Sequence, residues 1–354
     1  MIDFRYHIVS LISVFLALAV GIALGAGPLK ETIGDTLTGQ VQALRDEKEG
    51  LRTQLDETGG DLAAEEAFVS ASGERLLAGT LTDRRVALVL IGEVPEEQVT
   101  ALTERFGQAG ATVSATATVN DTWTDPALAT YRRTLAGTLV SYLDEPPASD
   151  AGTDTELAEA LVAGLVGGDS ASPDALSENA SSLLDVLAEG DQALVTFAED
   201  VTQPADAVVL VAGAAPEATG PSATAEETPD GLGPQLALVA AAERLAQGVV
   251  VAGAAPSDDA LVAAVRGDDE LADATTVSDT TTVSGQVTVP LALAADIGQQ
   301  PGHYGYGDDL TVLPPAVQLP PVDRSPALPD AGGGAGDVPD STQDAGDTTS
   351  GGEG

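Results

Sequence analysis

Histidine and paired carboxylates are the side chains of this sequence whose type and spacing could support catalysis or metal binding. One histidine lies in the segment Gly-His-Tyr-Gly-Tyr-Gly at 302–307. Glycines there permit close backbone approach to an imidazole and two phenols. The segment can be a functional loop or a tightly packed turn, and the sequence favours neither. Its candidate residues are Gly302, His303, Tyr304, Gly305 and Tyr306, with His303 as the candidate metal ligand.

Adjacent acidic residues form a second group of candidates, at 258–259, 268–269 and 308–309. Carboxylate oxygens are ligands for hard cations such as Ca²⁺. A chain with 56 acidic residues contains such pairs by chance, however. Solvated surface is therefore the preferred interpretation.

The sequence lacks the other residue combinations that carry known chemistry. It contains no cysteine, which excludes disulfides, thiolate metal sites and cysteine nucleophiles. It contains no phosphate-binding G-x-x-x-x-G-K-[ST], no G-x-S-x-G and no H-E-x-x-H. The second histidine, His7, lies at the edge of an apolar run. We expect a protein that is not an enzyme and that has no cofactor.

The charge balance excludes a large class of partners. The 354 residues include 14 Lys and Arg against 56 Asp and Glu, a net charge of −42. A phosphate backbone repels such a surface, so we expect no nucleic-acid binding. The length allows one or two globular domains besides any helical or disordered extensions.

An uncharged apolar run at 8–26 is long enough to cross a bilayer. As a helix it would span about 28 Å. Arg5 precedes it and an acidic remainder follows, so the positive-inside rule predicts a cytoplasmic N-terminus and an extracytoplasmic bulk. We prefer an uncleaved anchor. The alternative is a signal peptide that is cleaved at the small residues near Ala26.

Small residues recur along this run with helical spacing. Ala17, Gly21 and Gly25 would form a ridge on which two membrane helices could pack closely. An ordinary membrane helix rich in Ala and Gly is the other interpretation.

Beyond Pro28, apolar residues are spaced alternately four and three apart, which is typical of a coiled coil. We predict an imperfect coiled coil over 31–58 that breaks at Gly59-Gly60, with another helix near 61–78. A lysine at an a position favours a dimer. The alternative is a helix whose leucines pack on its own globular domain. The seam consists of Leu37, Val41, Leu44, Lys48, Leu51 and Leu55, continuing through Thr58 to Leu62.

The region after residue 80 alternates apolar strands with helical segments. A strand at 85–92, a helix at 95–109 and a strand at 111–119 make a βαβ unit. Two later segments, at 208–216 and 249–256, each run from an apolar strand into Gly-Ala-Ala-Pro. These turns could approach a ligand at the strand ends, but simple turns are the preferred interpretation. A mostly parallel, Rossmann-like α/β sheet with helices on both faces is predicted.

Two segments of the sequence resemble the actinobacterial MctB-like copper transport family. The first contains His7-x-Val9-Ser10-Leu11, followed by VFLALA at 14–19, Gly21 and Leu24-Gly25. The second contains Gly302-His303-Tyr304-Gly305, with TTVSD at 275–279 and TVPLAL at 288–293 in similar places. The resemblance covers 5–27 and 275–307 in detail and the region between them in topology only.

This resemblance implies an envelope protein that lowers intracellular copper, described as an outer-membrane pore in mycolate-bearing bacteria. The copper would be a transported ion. Soft ligands select Cu(I), yet Met1 is the only methionine and His303 the only external imidazole. A lipid-exposed barrel needs strands of alternating polarity, whereas these strands are continuously apolar. A non-catalytic envelope scaffold or ligand-binding module is the alternative function.

Together these observations predict an α/β protein of four parts, which associates as a homodimer or higher oligomer through its anchor and coiled coil. The parts are a single transmembrane anchor at 1–27, a helical coiled-coil stalk at 28–80, an α/β extracytoplasmic domain at 81–313 and a disordered acidic tail at 314–354. The tail is assigned as disordered because it is rich in Pro and Gly and has few apolar residues.

Overall fold

A computed structural model describes most of the chain, which separates into two compact units, Met1–Ser72 and Gly73–Gly354. The described residues are 4–26, 28–148, 150–213, 231–254, 260–307 and 309–326.

The first unit is helical. Helix α1 spans Phe4–Ala26, and helix α2 begins at Pro28 and continues to Leu77 in the second unit. Proline suits the start of a helix because its missing N–H has no partner there in any case. Within the described residues, one helix, Phe4–Gly25, is long and apolar enough to cross a membrane. The hydroxyl of Ser13 donates to the carbonyl oxygen of Val9 at 2.8 Å, so this polar side chain is satisfied within α1.

The predicted break at Gly59-Gly60 is wrong, because α2 passes through both glycines as one helix of 50 residues. Each glycine costs up to about 1 kcal/mol relative to alanine. Helix formation is cooperative, however, and adding residues to an existing helix needs no new nucleation. The residues on both sides are helical, so Gly59 and Gly60 lie within a continuous helix.

The second unit contains nine strands and the remaining helices among its described residues. The strands are β1 Arg85–Ile91, β2 Thr112–Val119, β3 Gly168–Asp169, β4 Ser172–Leu176, β5 Val195–Phe197, β6 Ala207–Ala212, β7 Val249–Gly253, β8 Thr276–Val277 and β9 His303–Tyr304. The helices are α3 Glu96–Ala109, α4 Ala129–Leu139, α5 Thr153–Val166, α6 Glu178–Ala188, α7 Gly233–Leu245, α8 Ala260–Gly267 and α9 Val283–Ile297.

Seven strands form the central sheet in the order β5-β2-β1-β6-β7-β8-β9. All neighbouring pairs are parallel except β2 with β5, which is antiparallel at one edge. The predicted mostly parallel α/β fold is therefore confirmed. Strands β3 and β4 form a separate antiparallel pair.

Helices cover both faces of the sheet, which explains why its central strands β1, β6 and β7 are almost entirely apolar. Alternate residues of β1 point to opposite sides. Ala87 and Val89 pack in a cluster with residues of α4 to α8. Val86, Leu88 and Leu90 pack with α3, α9 and Leu77 at the end of α2.

The chain between 314 and 326 lies along the α/β domain, so the folded part extends beyond the predicted boundary at 313. Leu319 packs against the cluster on the α3 and α9 face. Arg324 donates to the buried carboxylate of Asp206 at 2.8 Å, and Arg84 donates to the carbonyl oxygen of Pro320 at 3.2 Å. The rest of the predicted tail, 327–354, lies outside the described residues.

Candidate functional site

The candidate histidine belongs to the last strand of the sheet. His303 pairs with Thr276 in the parallel ladder between β8 and β9, and Tyr304 pairs with Val277. The backbone N–H of Thr276 donates to Gly302 at 3.1 Å, and that of Ser278 donates to Tyr304 at 3.0 Å. The Gly-His-Tyr-Gly segment is thus partly a strand.

Three polar side chains surround the imidazole on one face of these strands. Thr276 Oγ1 lies 3.0 Å from His303 Nδ1. Arg266, at the end of α8, donates from Nε to Thr276 Oγ1 at 2.8 Å and from its terminal nitrogen to Ser278 Oγ at 2.9 Å. Positions 276 and 278 share a face because strand side chains alternate. One guanidinium can therefore bridge both hydroxyls.

The electrostatics of this cluster favour an uncharged imidazole. Burial lowers the pKa of His303 from its ordinary value, and the positive charge of Arg266 lowers it further. Because Thr276 Oγ1 accepts from Arg266, its own proton is available for His303 Nδ1. A neutral imidazole is the form that binds metals, and Nε2 is the nitrogen not engaged by Thr276.

A hydroxyl beside an imidazole can be a catalytic nucleophile and its base. Thr276, however, has no exposed surface. A substrate cannot reach its hydroxyl in this arrangement. We interpret the contact as a hydrogen bond that orients the histidine.

The neighbouring residues of the segment serve packing. The ring of Tyr304 is buried on the opposite face of the sheet, and burial raises the pKa of its hydroxyl. A Cβ at Gly302 would lie 2.9 Å from the Tyr304 hydroxyl. Gly305 has φ +146°, and a Cβ there would lie 3.0 Å from the Cβ of Ser278. Tyr306 is more than half exposed.

Asp279 follows β8 and adds a carboxylate near this end of the sheet. Burial raises its pKa, while a hydrogen bond from the backbone of Tyr306 and the charge of Arg266 act in the opposite direction. Its φ of 61° is unusual for a residue other than glycine.

The Gly-Ala-Ala-Pro turns begin at the same carboxyl edge of the sheet. A Cβ at Gly213 would lie 2.2 Å from the carbonyl oxygen of Glu93, so only glycine fits beside that backbone. The carbonyl oxygen of Gly253 accepts from both the backbone and the hydroxyl of Thr280. Residues 214–230 and 255–259 lie outside the described residues, so the ligand-binding interpretation of these turns stays a prediction.

Acidic residues line a surface cavity of about 560 Å³ beside α7. Partial burial and the nearby carboxylates of Asp296 and Asp273 raise the pKa of Glu243 to about 7, although that residue is partly exposed. Asp268 also lines this cavity, whereas 258–259 and 308 fall outside the described residues. Where the chain is described, no three His, Cys, Asp or Glu side chains are grouped so as to hold a metal ion.

Sequence reasoning missed the residues that position the histidine. Arg266 lies on α8, and nothing in its position in the sequence links it to residue 303. Ser278 and Asp279 belong to the TTVSD stretch that carries part of the family resemblance. The resemblance of that stretch to the family was the signal in the sequence that could have pointed to these residues.

The candidates in the first unit stand on two helices. On α1, a Cβ at Gly21 or Gly25 would meet no atom within 4 Å. On α2, the apolar seam residues are exposed; they are Leu37, Val41, Leu44, Leu51 and Leu55. The coiled coil and its alternative, a helix that packs on its own globular domain, both stay predictions.

Comparison with known proteins identifies the family to which the sequence is similar. The family described as "Copper transport outer membrane protein, MctB" matches residues 1–315. Proteins named copper transporter MctB from Mycobacterium bovis and Mycobacterium tuberculosis are each 29% identical over 318 residues, which is 87% of this chain and 97% of theirs. The protein of that name from Mycobacterium leprae is 30% identical over 132 residues, 35% of this chain and 39% of its own. Because the family match covers most of its length, the chain belongs to the MctB family.

Proposed function

We propose that this protein lowers the copper content of the cell from a position in the cell envelope, by transport across that envelope. The family match over residues 1–315 is the observation that carries the proposal. The named copper transporters match 87% of the chain, and the family match over residues 1–315 includes the segment with His303.

The proposed topology is a single uncleaved anchor with the α/β domain outside the cytoplasmic membrane. Arg5 and the excess of acidic residues after α1 support this orientation. One membrane helix cannot line an aqueous path by itself. A path formed by this part of the protein would therefore require several copies, associated through α1 and the seam of α2.

Copper handling in this proposal does not depend on a thiolate site, because the chain has no cysteine. His303 is the proposed ligand outside the membrane. Its neutral imidazole suits Cu(II) or Cu(I), and carboxylates nearby would add weaker oxygen ligands. The protein has no catalytic role in this proposal, which the inaccessibility of the Thr276 hydroxyl supports.

Copper content in a deletion strain tests the proposal. We expect deletion of the gene to raise cell-associated copper under copper load, and the wild-type gene to restore it. Unchanged copper in the deletion strain would exclude the transport function.

Two variants in the same strain separate ligation from folding. His303→Ala removes the imidazole, whereas Thr276→Val removes its hydrogen bond but keeps the ring. If His303 binds copper, His303→Ala complements poorly and Thr276→Val complements well. Equal loss in both variants, at equal protein levels, would assign His303 to structure alone.

An envelope scaffold or ligand-binding module is the second candidate function. The exposed apolar seam of α2 favours it, because such a surface suits a protein partner. A scaffold predicts unchanged cell copper after deletion, together with the same protein partners in repeated pull-downs from solubilised membranes. A copper transporter instead predicts that cell-associated copper rises after deletion.

A further inference from the structure

We propose that the α2 seam binds a second copy of this chain as a parallel, in-register, two-stranded coiled coil, with Glu47 of each copy paired with Arg52 of the other. This proposal deepens the self-association included in the proposed function. It adds the orientation of the two chains, their register and the charged pair that selects them.

The first supporting observation is an exposed apolar stripe along α2. The apolar seam residues from Leu37 to Leu62 are between 42% and 75% exposed. A shallow groove lined by Leu44, Leu51 and Leu55 follows this stripe, flanked by Glu47, Lys48 and Arg52. Apolar side chains on a helix in water are stabilised when they enter the corresponding grooves of another helix.

The length of the seam is sufficient for pairing. Residues 37–62 span about 39 Å of helix at 1.5 Å per residue. This is more than three heptads, about the minimum that supports a coiled coil. The continuity of α2 through Gly59 and Gly60 keeps the register unbroken as far as Leu62.

The charges beside the seam select the parallel orientation. In heptad notation, with Val41 at a and Leu44 at d, Glu47 occupies g and Arg52 the following e. Parallel chains bring g of one helix next to e of the other, five residues further on. Glu47 and Arg52 then form two opposite-charge pairs per dimer. In an antiparallel pair centred on Lys48, e faces e, so that Arg45 of one copy lies beside Arg52 of the other.

Lys48 and the anchors add two further arguments. A lysine at an a position disfavours trimers and tetramers because their interiors bury it more completely. In a parallel dimer, Lys48 lies near Glu47 of the second copy. The two chains also leave a parallel pair at the same end, as two α1 helices in one membrane require. An antiparallel pair would send them to opposite ends.

Disulfide crosslinking of the full chain in detergent tests the orientation. The natural sequence has no cysteine, so a single introduced thiol reports one position. Leu44→Cys places the thiol at d, where parallel in-register helices face each other. Asp46→Cys, at the outward f position, is the matched control. With diamide as the oxidant, we expect at least about tenfold more crosslinked dimer from Leu44→Cys than from Asp46→Cys.

Two outcomes of this experiment would overturn the proposal. Equal yields from both positions would show that the seam does not hold the dimer. Preferential crosslinking of Leu44→Cys to Leu55→Cys in a mixture of the two variants would show an antiparallel pair, in which d of one helix packs against a of the other.

Charge exchange tests the proposed pair. Glu47→Arg and Arg52→Glu each replace two attractions with two repulsions, and we expect each to weaken dimerisation by about fivefold. The double variant should return to within about twofold of wild type, measured by sedimentation equilibrium. A double variant as weak as the single variants would contradict the pairing. These assays measure no copper, so the pairing and the copper proposal can fail independently.

Discussion

Arg266 sets the environment of His303 at the residue scale. It donates to the hydroxyls of Thr276 and Ser278, and its charge acts with burial to lower the pKa of the imidazole. The histidine therefore stays neutral to a lower pH in the folded protein than in the unfolded chain. The same environment that prepares the ring to bind a metal links folding to pH.

We predict that His303 makes the folded protein less stable in acid. Its pKa is lower in the folded than in the unfolded state, so the unfolded chain binds the proton first as pH falls below about 6.5. The contribution of His303 to the free energy of unfolding should then decrease as pH falls through that range. Urea denaturation at pH 7.5, 6.5 and 5.5 measures this decrease.

The variant His303→Gln should show a smaller decrease over the same interval, because it cannot titrate. His7→Gln, on α1 outside the α/β domain, is the control and should follow the wild type. An identical pH dependence in His303→Gln and wild type would contradict the prediction.

At the element scale, an ion pair joins two helices on one face of the sheet. Glu159 of α5 is buried, and its carboxylate lies 2.6 Å from a terminal nitrogen of Arg244 on α7. The arginine is partly exposed, so water shares its charge, whereas the glutamate depends on its partner. A buried carboxylate without a counter-ion is costly.

We predict that Arg244→Ala destabilises the α/β domain by about 2 kcal/mol. This loss is smaller than is usual when a fully buried ion pair is broken, because Arg244 is partly exposed. The double variant Glu159→Gln and Arg244→Ala should recover part of this loss, since it leaves no unpaired charge. Arg133→Ala, on the exposed side of α4, is the control. Denaturant titration measures the three values. Equal stability of Arg244→Ala and Arg133→Ala would show that Glu159 does not need the pair.

At the scale of the whole molecule, the apolar helix α1 and a net charge of −42 are the dominant features. Anionic surfaces and nucleic acids repel a strongly acidic chain. The proposed copper function requires that domain to be outside the cytoplasmic membrane.

Protease accessibility in spheroplasts checks this orientation and the anchor together. We expect added protease to cleave the α/β domain without detergent and to leave a membrane-bound fragment whose mass includes residues 1–27. A cytoplasmic protein of the same cells, intact throughout, is the control for lysis. A domain protected until detergent is added would reverse the orientation, and a mature chain that lacks these residues would show a cleaved signal peptide.

Local patterns predicted the elements that depend on neighbouring residues. The apolar run of α1, the βαβ unit from β1 to β2, and the strands β6 and β7 lie close to their predicted places. Short elements that depend on distant partners were missed. Strand β5 has three residues and is held by β2, while β9 has two and is held by β8.

The sequence by itself determined the apolar helix α1, the heptad spacing, the α/β class and the exclusion of cysteine chemistry, because each depends on composition or on short periods. Only the tertiary structure decided that Thr276, which accepts from Arg266, orients His303 and that Arg324 binds Asp206 and so holds residues 314–326 on the domain. These contacts join residues far apart in the chain or on different elements. The spacing of residues along the sequence cannot reveal these contacts, because they form only when the sheet and helices pack together.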